Sequence, residues 1–258
     1  MNAIRSRITI VRSQPRLAGY YAVMGVVTAL FTGLWLFEGY YLFTAWIPSL
    51  YDEITPINGA AAGAFMTLML CCSLVSLFRP KTGVGASKLL LVGAGLLGLL
   101  MPLAFVADTP LVTVVVLVVA ATILGLVVRL HPAGSAVLPA RERDLDYPLA
   151  GLTLLIAVPF LWMAADYQWL QITLSDEVAE RWFYGGLSMY LLAIVAFSGL
   201  ASVDRSVRRL AAGAAVFLGA VLGLISVVYP TELHSFGLLG GGLLVAWCVA
   251  VGVVTVRE

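Results

Sequence analysis

The sequence contains little charge. Only 11% of its 258 residues are Asp, Glu, Lys or Arg, whereas 61% are hydrophobic. A water-soluble protein usually carries about 25% charged residues, so this composition excludes an ordinary soluble domain. The hydrophobic residues form continuous runs of about 20, the helix length that crosses a bilayer, without the alternation of a membrane β-barrel. We therefore predict an all-α integral membrane protein.

Residues that usually hold cofactors are scarce. The three cysteines (Cys71, Cys72 and Cys248) lie within apolar runs and form no C-x-x-C motif, so we interpret them as packing residues. His131 and His234 are the only histidines, and their predicted positions on opposite sides of the membrane exclude a haem held between two histidines. Neither lysine lies deep enough in a span for a retinal Schiff base, and no phosphate-binding loop or nucleophile elbow is present. We expect no cofactor and no nucleic-acid partner.

Hydropathy predicts eight membrane spans. They cover residues 18–42, 58–78, 86–106, 110–130, 148–169, 182–203, 210–229 and 233–256. Residues 39–50 stay apolar and aromatic, and they either prolong the first helix or lie along the membrane surface. Thr231 and Glu232 are expected to open the last span, as a helix cap followed by an acid in the first turn.

The basic residues predict the orientation. With a cytoplasmic amino terminus, 14 of the 15 Lys and Arg residues fall on the cytoplasmic side and only Arg181 lies outside, as the positive-inside rule requires. We expect a multi-pass protein of the plasma membrane, embedded in the lipid bilayer with both termini in the cytoplasm. The cytoplasmic tail, residues 1–17, contains four arginines and is predicted to rest on anionic lipid headgroups.

The two halves of the chain share one pattern. Residues of similar type recur 127 positions apart, in the pairs Trp35 and Trp162, Tyr40 and Tyr167, Gly59 and Gly186, and Lys81 and Arg208. The loops also follow the same order of lengths in each half. We predict eight transmembrane helices as a tandem, parallel duplication of a four-helix unit, with repeats at 18–130 and 148–258 joined by a cytoplasmic linker at 131–147.

Acidic and aromatic residues at the predicted outer side are the candidates for a binding pocket. Trp162, Asp166 and Trp169 share one helical face, and Glu38 lies at a similar depth in the first half. The candidate pocket comprises Glu38, Asp166, Tyr167, Trp169, Glu177, Glu180, Glu232 and His234. Such a pocket could bind a cation or exchange protons. The alternative is an interfacial belt of aromatic residues with acids that reach water.

A second interpretation concerns His234, which we expect one turn inside the last helix. His234 and Glu180 are candidate metal ligands, because imidazole and carboxylate groups together suit zinc or a similar ion. The chain has no H-x-x-x-H or H-E-x-x-H motif. The alternative is a histidine that forms hydrogen bonds at the start of a helix.

Glycines spaced four apart predict close contacts between helices. They are Gly59 and Gly63, Gly219 and Gly223, and Gly237 and Gly241. This spacing indicates the second, seventh and eighth spans as the packed centre. Residues 240–242, all glycine, could instead leave room for a ligand.

Three function classes stay open from the sequence. The first is the binding or transport of a small solute or ion through the outer pocket. The second is a non-catalytic subunit or scaffold that packs with a membrane partner or with further copies of itself. The third is an integral-membrane enzyme with an outer-facing histidine and carboxylate site.

Overall fold

The structure is a computed structural model that describes residues 15–47, 55–103, 110–138, 144–174, 179 and 183–257. These residues form helices, turns and no strand. The long helices of this part are α1 (Pro15–Leu34), α2 (Pro56–Phe78), α3 (Val84–Leu103), α4 (Pro110–Leu130), α5 (Tyr147–Thr173), α6 (Phe183–Val203), α7 (Arg208–Val228) and α8 (Gly237–Val256). The predicted all-helical class is confirmed.

Seven helices of the described chain are long and apolar enough to cross a membrane. The exception is α3, whose apolar stretch is shorter, at Val84–Leu100. A π-helical turn, Trp35–Gly39, and a single α-helical turn, Tyr41–Thr44, continue α1. The apolar segment after residue 39 therefore prolongs the first helix as far as Thr44.

Side-chain caps and prolines define the helix starts. The Thr55 hydroxyl accepts a hydrogen bond from the Asn58 amide (3.4 Å) at the start of α2. The Asp146 carboxylate accepts one from the Leu149 amide (2.8 Å) at the start of α5. A capping oxygen satisfies an amide that has no partner within the helix. Proline follows each cap within two residues, where it needs no donor.

The expected start of the last helix is wrong. Thr231 and Glu232 lie in a turn, and α8 begins only at Gly237. His234 and Gly237 adopt φ angles of 67° and 69°, in the left-handed region, where a right-handed helix cannot continue. His234 therefore precedes the helix instead of lying one turn inside it.

The helices pack as two bundles of four. Within the first bundle, α1–α4, each helix contacts the next and α4 returns to α1; the second bundle, α5–α8, repeats this cycle. The bundles meet through α2 and α3 on one side and α6 and α7 on the other. The expected packed centre is wrong in one helix, because α6 is the most buried and α8 lies at the periphery.

Two ends of the assembly can be distinguished by their contacts. At one end, the Tyr20 hydroxyl near the start of α1 donates to the Ser76 carbonyl near the end of α2 (3.0 Å), and Lys88 at the start of α3 reaches Asp204 beyond α6. We call this the basic end. At the other, which we call the acidic end, Asn58 at the start of α2 meets His234 before α8. Successive helices therefore run in opposite directions.

Gly219, Gly223 and Gly241 lie at the close contact between α7 and α8, whereas a Cβ added to Gly237 would meet only the Pro230 carbonyl oxygen, at 3.8 Å. A Cβ added to Gly241 would lie 2.6 Å from the Gly223 carbonyl oxygen, and one added to Gly219 would lie 2.9 Å from the Cys248 sulfur. On α2, a Cβ at Gly63 would overlap the backbone of Leu42. Gly59 lies buried at the start of α2. Gly242 faces open space.

Candidate functional site

The turn between α7 and α8 fixes the position of His234. The Ser235 amide donates to the Glu232 carbonyl (3.0 Å), and the Ser235 hydroxyl donates to the Ser226 carbonyl (3.2 Å). Between these anchors His234 has its left-handed φ angle, a conformation that costs about 1–3 kcal/mol and is concentrated at functional sites. The turn therefore holds the imidazole ring at the acidic end.

His234 connects the second bundle to the first. Its Nδ1 lies 2.9 Å from Asn58 Nδ2, and the same amide nitrogen lies 3.0 Å from the Thr55 hydroxyl. An amide nitrogen can only donate, so Nδ1 accepts and the ring proton of neutral His234 lies on Nε2. Burial lowers the pKa of His234 to about 4, so the ring is neutral at neutral pH.

Two tyrosines surround this imidazole. The ring centroids of Tyr167 and Tyr184 lie 5.3 and 5.2 Å from that of His234, with their planes nearly perpendicular to it. His234 is 8% exposed, and its Nε2 is buried without a hydrogen-bond partner among the described residues. A buried donor without a partner costs about 1–3 kcal/mol, so an acceptor group placed against Nε2 would relieve that cost. We call Asn58, Tyr167, Tyr184 and His234 the acidic-end site.

The structure brings only part of the predicted pocket together. Tyr167 and His234 are in contact, whereas the side chains of Asp166, Trp169 and Glu232 are exposed. Glu38 is half-buried in the π-helical turn, which packs on α1 and α2. Glu177 and Glu180 lie outside the described residues, so the predicted His234 and Glu180 metal pair stays a prediction. Within the described ranges, no three His, Cys, Asp or Glu side chains are grouped to hold a metal ion.

A buried ion pair joins the bundles at the basic end. Lys88 Nζ on α3 donates to Asp204 Oδ2 (2.7 Å) and to the Ser206 hydroxyl (2.7 Å). The Ser206 hydroxyl in turn donates to Asp204 Oδ1 (2.6 Å). Lys88 is 2% exposed and Asp204 0%. The turn between α6 and α7 thus neutralises a cation that would otherwise be costly inside an apolar helix.

A second charged cluster ties the segment before α5 to the start of α7. The Arg208 guanidinium donates to the carbonyls of Asp144 (2.7 Å) and Ala201 (3.2 Å) and lies 3.7 Å from the Asp146 carboxylate. The amides of Asp144 and Asp146 donate to the carbonyls of Val203 and Ser202. This cluster lies entirely within the second bundle. It holds the start of α5 against the end of α6.

A serine and a histidine also meet at the basic end, inside the first bundle. Ser87 Oγ lies 3.2 Å from His131 Nε2, and both residues are fully buried. The Ala133 amide donates to His131 Nδ1 (3.1 Å), so in the neutral ring the proton lies on Nε2. Burial lowers the pKa of His131, which favours this neutral form. A general base needs a free lone pair towards the nucleophile, so this pair is not arranged to activate Ser87.

No family model matches the chain, and neither the curated proteins nor the solved structures include a match.

The sequence interpretation overlooked the residues that join the bundles. The charge rule predicts Lys88 at the cytoplasmic side, and neither Asp204 nor Asn58 is among the predicted site residues. Each carries a signal in the sequence: Lys88 is followed by three leucines, Asn58 opens an apolar run, and Asp204 is an acid on the predicted basic side. A polar residue inside or beside an apolar span is expensive unless it is paired.

Proposed function

We propose that the protein is a carrier for a small polar solute, which passes between two four-helix bundles. In this proposal the solute binds at the acidic-end site, against the Nε2 proton of His234. It leaves at the basic end when the Lys88 and Asp204 side chains separate. The observation that carries the proposal is that a buried polar pair, with one partner from each bundle, closes the bundle interface at both ends.

The packing of the helices supports a tandem duplication. Each bundle has the same cycle of contacts, and the cross-contacts of α2 with α7 and of α3 with α6 exchange when the bundles are interchanged. That is the pattern expected of two copies related by a twofold axis. Parallel repeats related by an axis along the membrane normal occur in transporters whose halves rock against each other.

The interface between its two ends is apolar and closed. On α3, a Cβ at Gly93 would overlap the sulfur of Met69 and lie 3.5 Å from the Phe197 ring of α6. Apolar packing of this kind can separate and close again without leaving buried polar atoms unpaired. If the bundles rock against each other, the polar pair at one end of their interface can break while the pair at the other end stays formed. The solute would then be exposed to one side at a time.

We also propose that the chain crosses the plasma membrane eight times, with the basic end in the cytoplasm. Neutralisation of Lys88 by Asp204 supports the crossing of α3, because an unpaired lysine inside a span costs about 2.5–3.5 kcal/mol. The basic residues at the helix ends support the orientation through the positive-inside rule.

Histidine NMR tests solute binding directly, because the chain contains only two histidines. With ¹⁵N-histidine protein in nanodiscs, we would add acetate, glycine and glycerol in turn, each of which carries an acceptor oxygen, and then test chemical relatives of any solute that binds. We expect a bound solute to shift the Nε2 signal of His234 and to leave that of His131 unchanged. His234→Ala assigns the signals and should abolish binding.

Flux into proteoliposomes of any solute that shifts His234 tests the transport step. We expect Lys88→Met to change the rate, because it removes the polar closure of the basic end. The exposed Arg257→Gln serves as the control. Binding without flux would refute the carrier and leave a binding protein.

The subunit alternative has one specific observation in its favour. The described part of α4 is apolar and only 11% of it is buried, so much of its surface faces lipid or a partner. Mass measurement of the purified complex in detergent distinguishes these cases: a stable partner seated on α4 would favour the subunit, and a monomer would count against it.

A further inference from the structure

A groove with both charged and apolar walls lies at the basic end, where α2 and α3 meet α7. Its volume is about 980 Å³. The apolar wall includes Leu68, Cys71 and Val75 of α2 and Leu210 of α7; Arg205, Ser206 and Arg209 lie at its polar end. The groove therefore changes from apolar to cationic along its length. It is separate from the acidic-end site.

The cationic end has charge available for a ligand. Arg209 is exposed and forms no ion pair with another described residue. Arg205 is 77% exposed, and its only ion pair within the described chain is a 4.0 Å contact with the Asp144 carboxylate, which also lines the groove. Arg208 is committed to Asp144 and Asp146. Arg209 is therefore available to an anion, and Arg205 can turn towards one because its contact with Asp144 is long and exposed. Guanidinium matches the geometry of phosphate oxygens.

The apolar wall has the length and exposure for the part of a hydrocarbon chain nearest the headgroup. From Val75 to Leu68 the groove follows α2 for seven residues, which is about 10 Å at the rise of an α-helix. Val75 and Leu210 are 41% and 47% exposed, so they offer apolar surface that is not covered by the protein. Basic pockets between membrane helices on the cytoplasmic side bind anionic lipid headgroups.

We propose that this groove is a binding site for one anionic phospholipid, whose phosphate lies between Arg205 and Arg209 and whose acyl chain lies along Leu68, Val75 and Leu210. The lipid would contact both bundles, because α2 belongs to the first and α7 to the second. The groove lining includes Ser206, which is hydrogen-bonded to the Lys88 and Asp204 pair. Lipid binding would therefore stabilise the closed basic end.

Thermal unfolding and native mass spectrometry test this site in the full-length protein. We would purify the protein in a neutral detergent and add dioleoylphosphatidylglycerol, dioleoylphosphatidylcholine or inorganic phosphate. We expect the anionic dioleoylphosphatidylglycerol to raise the melting temperature by several degrees and to stay bound as one copy. The zwitterionic dioleoylphosphatidylcholine should neither raise the melting temperature nor stay bound. An equal increase with inorganic phosphate would overturn the lipid assignment in favour of a free-anion site.

Charge-matched variants distinguish lipid binding in the groove from non-specific attraction between anionic lipid and basic residues. Arg205→Gln with Arg209→Gln should remove more than half of the stabilisation by the anionic lipid. Arg129→Gln with Arg257→Gln removes the same charge from exposed positions outside the groove and should keep it. Equal losses in the two double variants would overturn the proposal.

A second pair of variants tests the acyl chain and remains informative if an arginine variant does not fold. Leu210→Ser changes the apolar wall, whereas Leu224→Ser lies on the same helix outside the groove; both leucines are 47% exposed. We expect only Leu210→Ser to weaken lipid retention. Equal retention in the two variants would contradict the proposed path of the chain.

Discussion

At the residue scale, His234 makes the folded state sensitive to acid. Its pKa of about 4 in the folded protein is below the ordinary value of 6.5, so between these pH values the unfolded state binds more protons. The stability from the neutral ring is complete above about pH 6.5 and decreases as the pH falls towards 4. His131, whose pKa burial also lowers, acts in the same direction.

We therefore expect the melting temperature to fall when the pH is lowered from about 7.5 to about 5, where the ordinary histidine pKa is crossed. His234→Asn should show a smaller decrease, because asparagine does not titrate and tolerates the left-handed backbone. Thermal unfolding in detergent over a pH series measures both. Superimposable pH profiles for the variant and the parent would contradict this assignment.

The Lys88 and Asp204 pair allows a double-mutant test. Lys88→Met leaves the buried Asp204 carboxylate uncompensated, and we expect a loss of about 3–5 kcal/mol in the free energy of unfolding. Lys88→Met combined with Asp204→Leu should lose clearly less, because neither charge is then buried alone. Equilibrium unfolding in mixed micelles gives the coupling energy. Arg205→Gln is the control, because its exposed ion pair is worth only about 0–1 kcal/mol. If the double variant loses as much free energy of unfolding as the two single variants together, the coupling is refuted.

Individual polar residues were the hardest part to predict. Apolar runs and basic loops report where a helix ends, but they do not report which polar side chains meet across a bundle interface. The sequence analysis places Tyr167 and His234 in one candidate pocket, and their rings are in contact. Their partners Asn58 and Tyr184 come from helices whose neighbours depend on tertiary packing.

At the element scale, adjacent glycines of α8 provide a matched pair. Gly241→Ala places a methyl group 2.6 Å from the Gly223 carbonyl oxygen, whereas the same change at Gly242 meets nothing within 4 Å. We expect Gly241→Ala to destabilise the protein by about 1–3 kcal/mol through forced separation of α7 and α8. Gly242→Ala should be neutral or slightly stabilising, since alanine favours the helix. Denaturation of the two variants side by side measures both changes in the free energy of unfolding. Equal changes would contradict the close contact between α7 and α8.

Helix limits followed from the sequence where chemistry marks them. The span predicted at 110–130 is the helix Pro110–Leu130, because proline begins it and a basic residue lies in its last turn. The last helix was placed four residues too early, because apolar content extends into a turn whose direction depends on two left-handed residues. Hydropathy does not detect backbone conformation.

At the scale of the whole molecule, cysteine labelling tests on which side of the membrane each end lies. Thr173→Cys lies at the acidic end and Arg205→Cys at the basic end, and both positions are exposed. In intact cells we expect a membrane-impermeant maleimide to label Thr173→Cys only. Arg205→Cys should be labelled only after the membrane is permeabilised. Each is compared with the parent chain, which measures the background from Cys71. Labelling of Arg205→Cys in intact cells would contradict the orientation.

The long helices of the described chain contact one another in two groups, α1–α4 and α5–α8. Hydropathy and residue spacing could propose this division, because both are local along the chain. They could not identify α6 as the most buried helix, since burial depends on how the bundles face each other. The duplication itself remains a proposal supported by the contact pattern.

The ion pair between Lys88 and Asp204 has a consequence for biosynthesis. The ribosome delivers the lysine more than a hundred residues before the aspartate that neutralises it. A nascent chain that stops after α4 therefore carries the Lys88 ammonium group without the carboxylate that pairs with it in the folded protein. Asp204 supplies that carboxylate directly after α6, before the second bundle is complete.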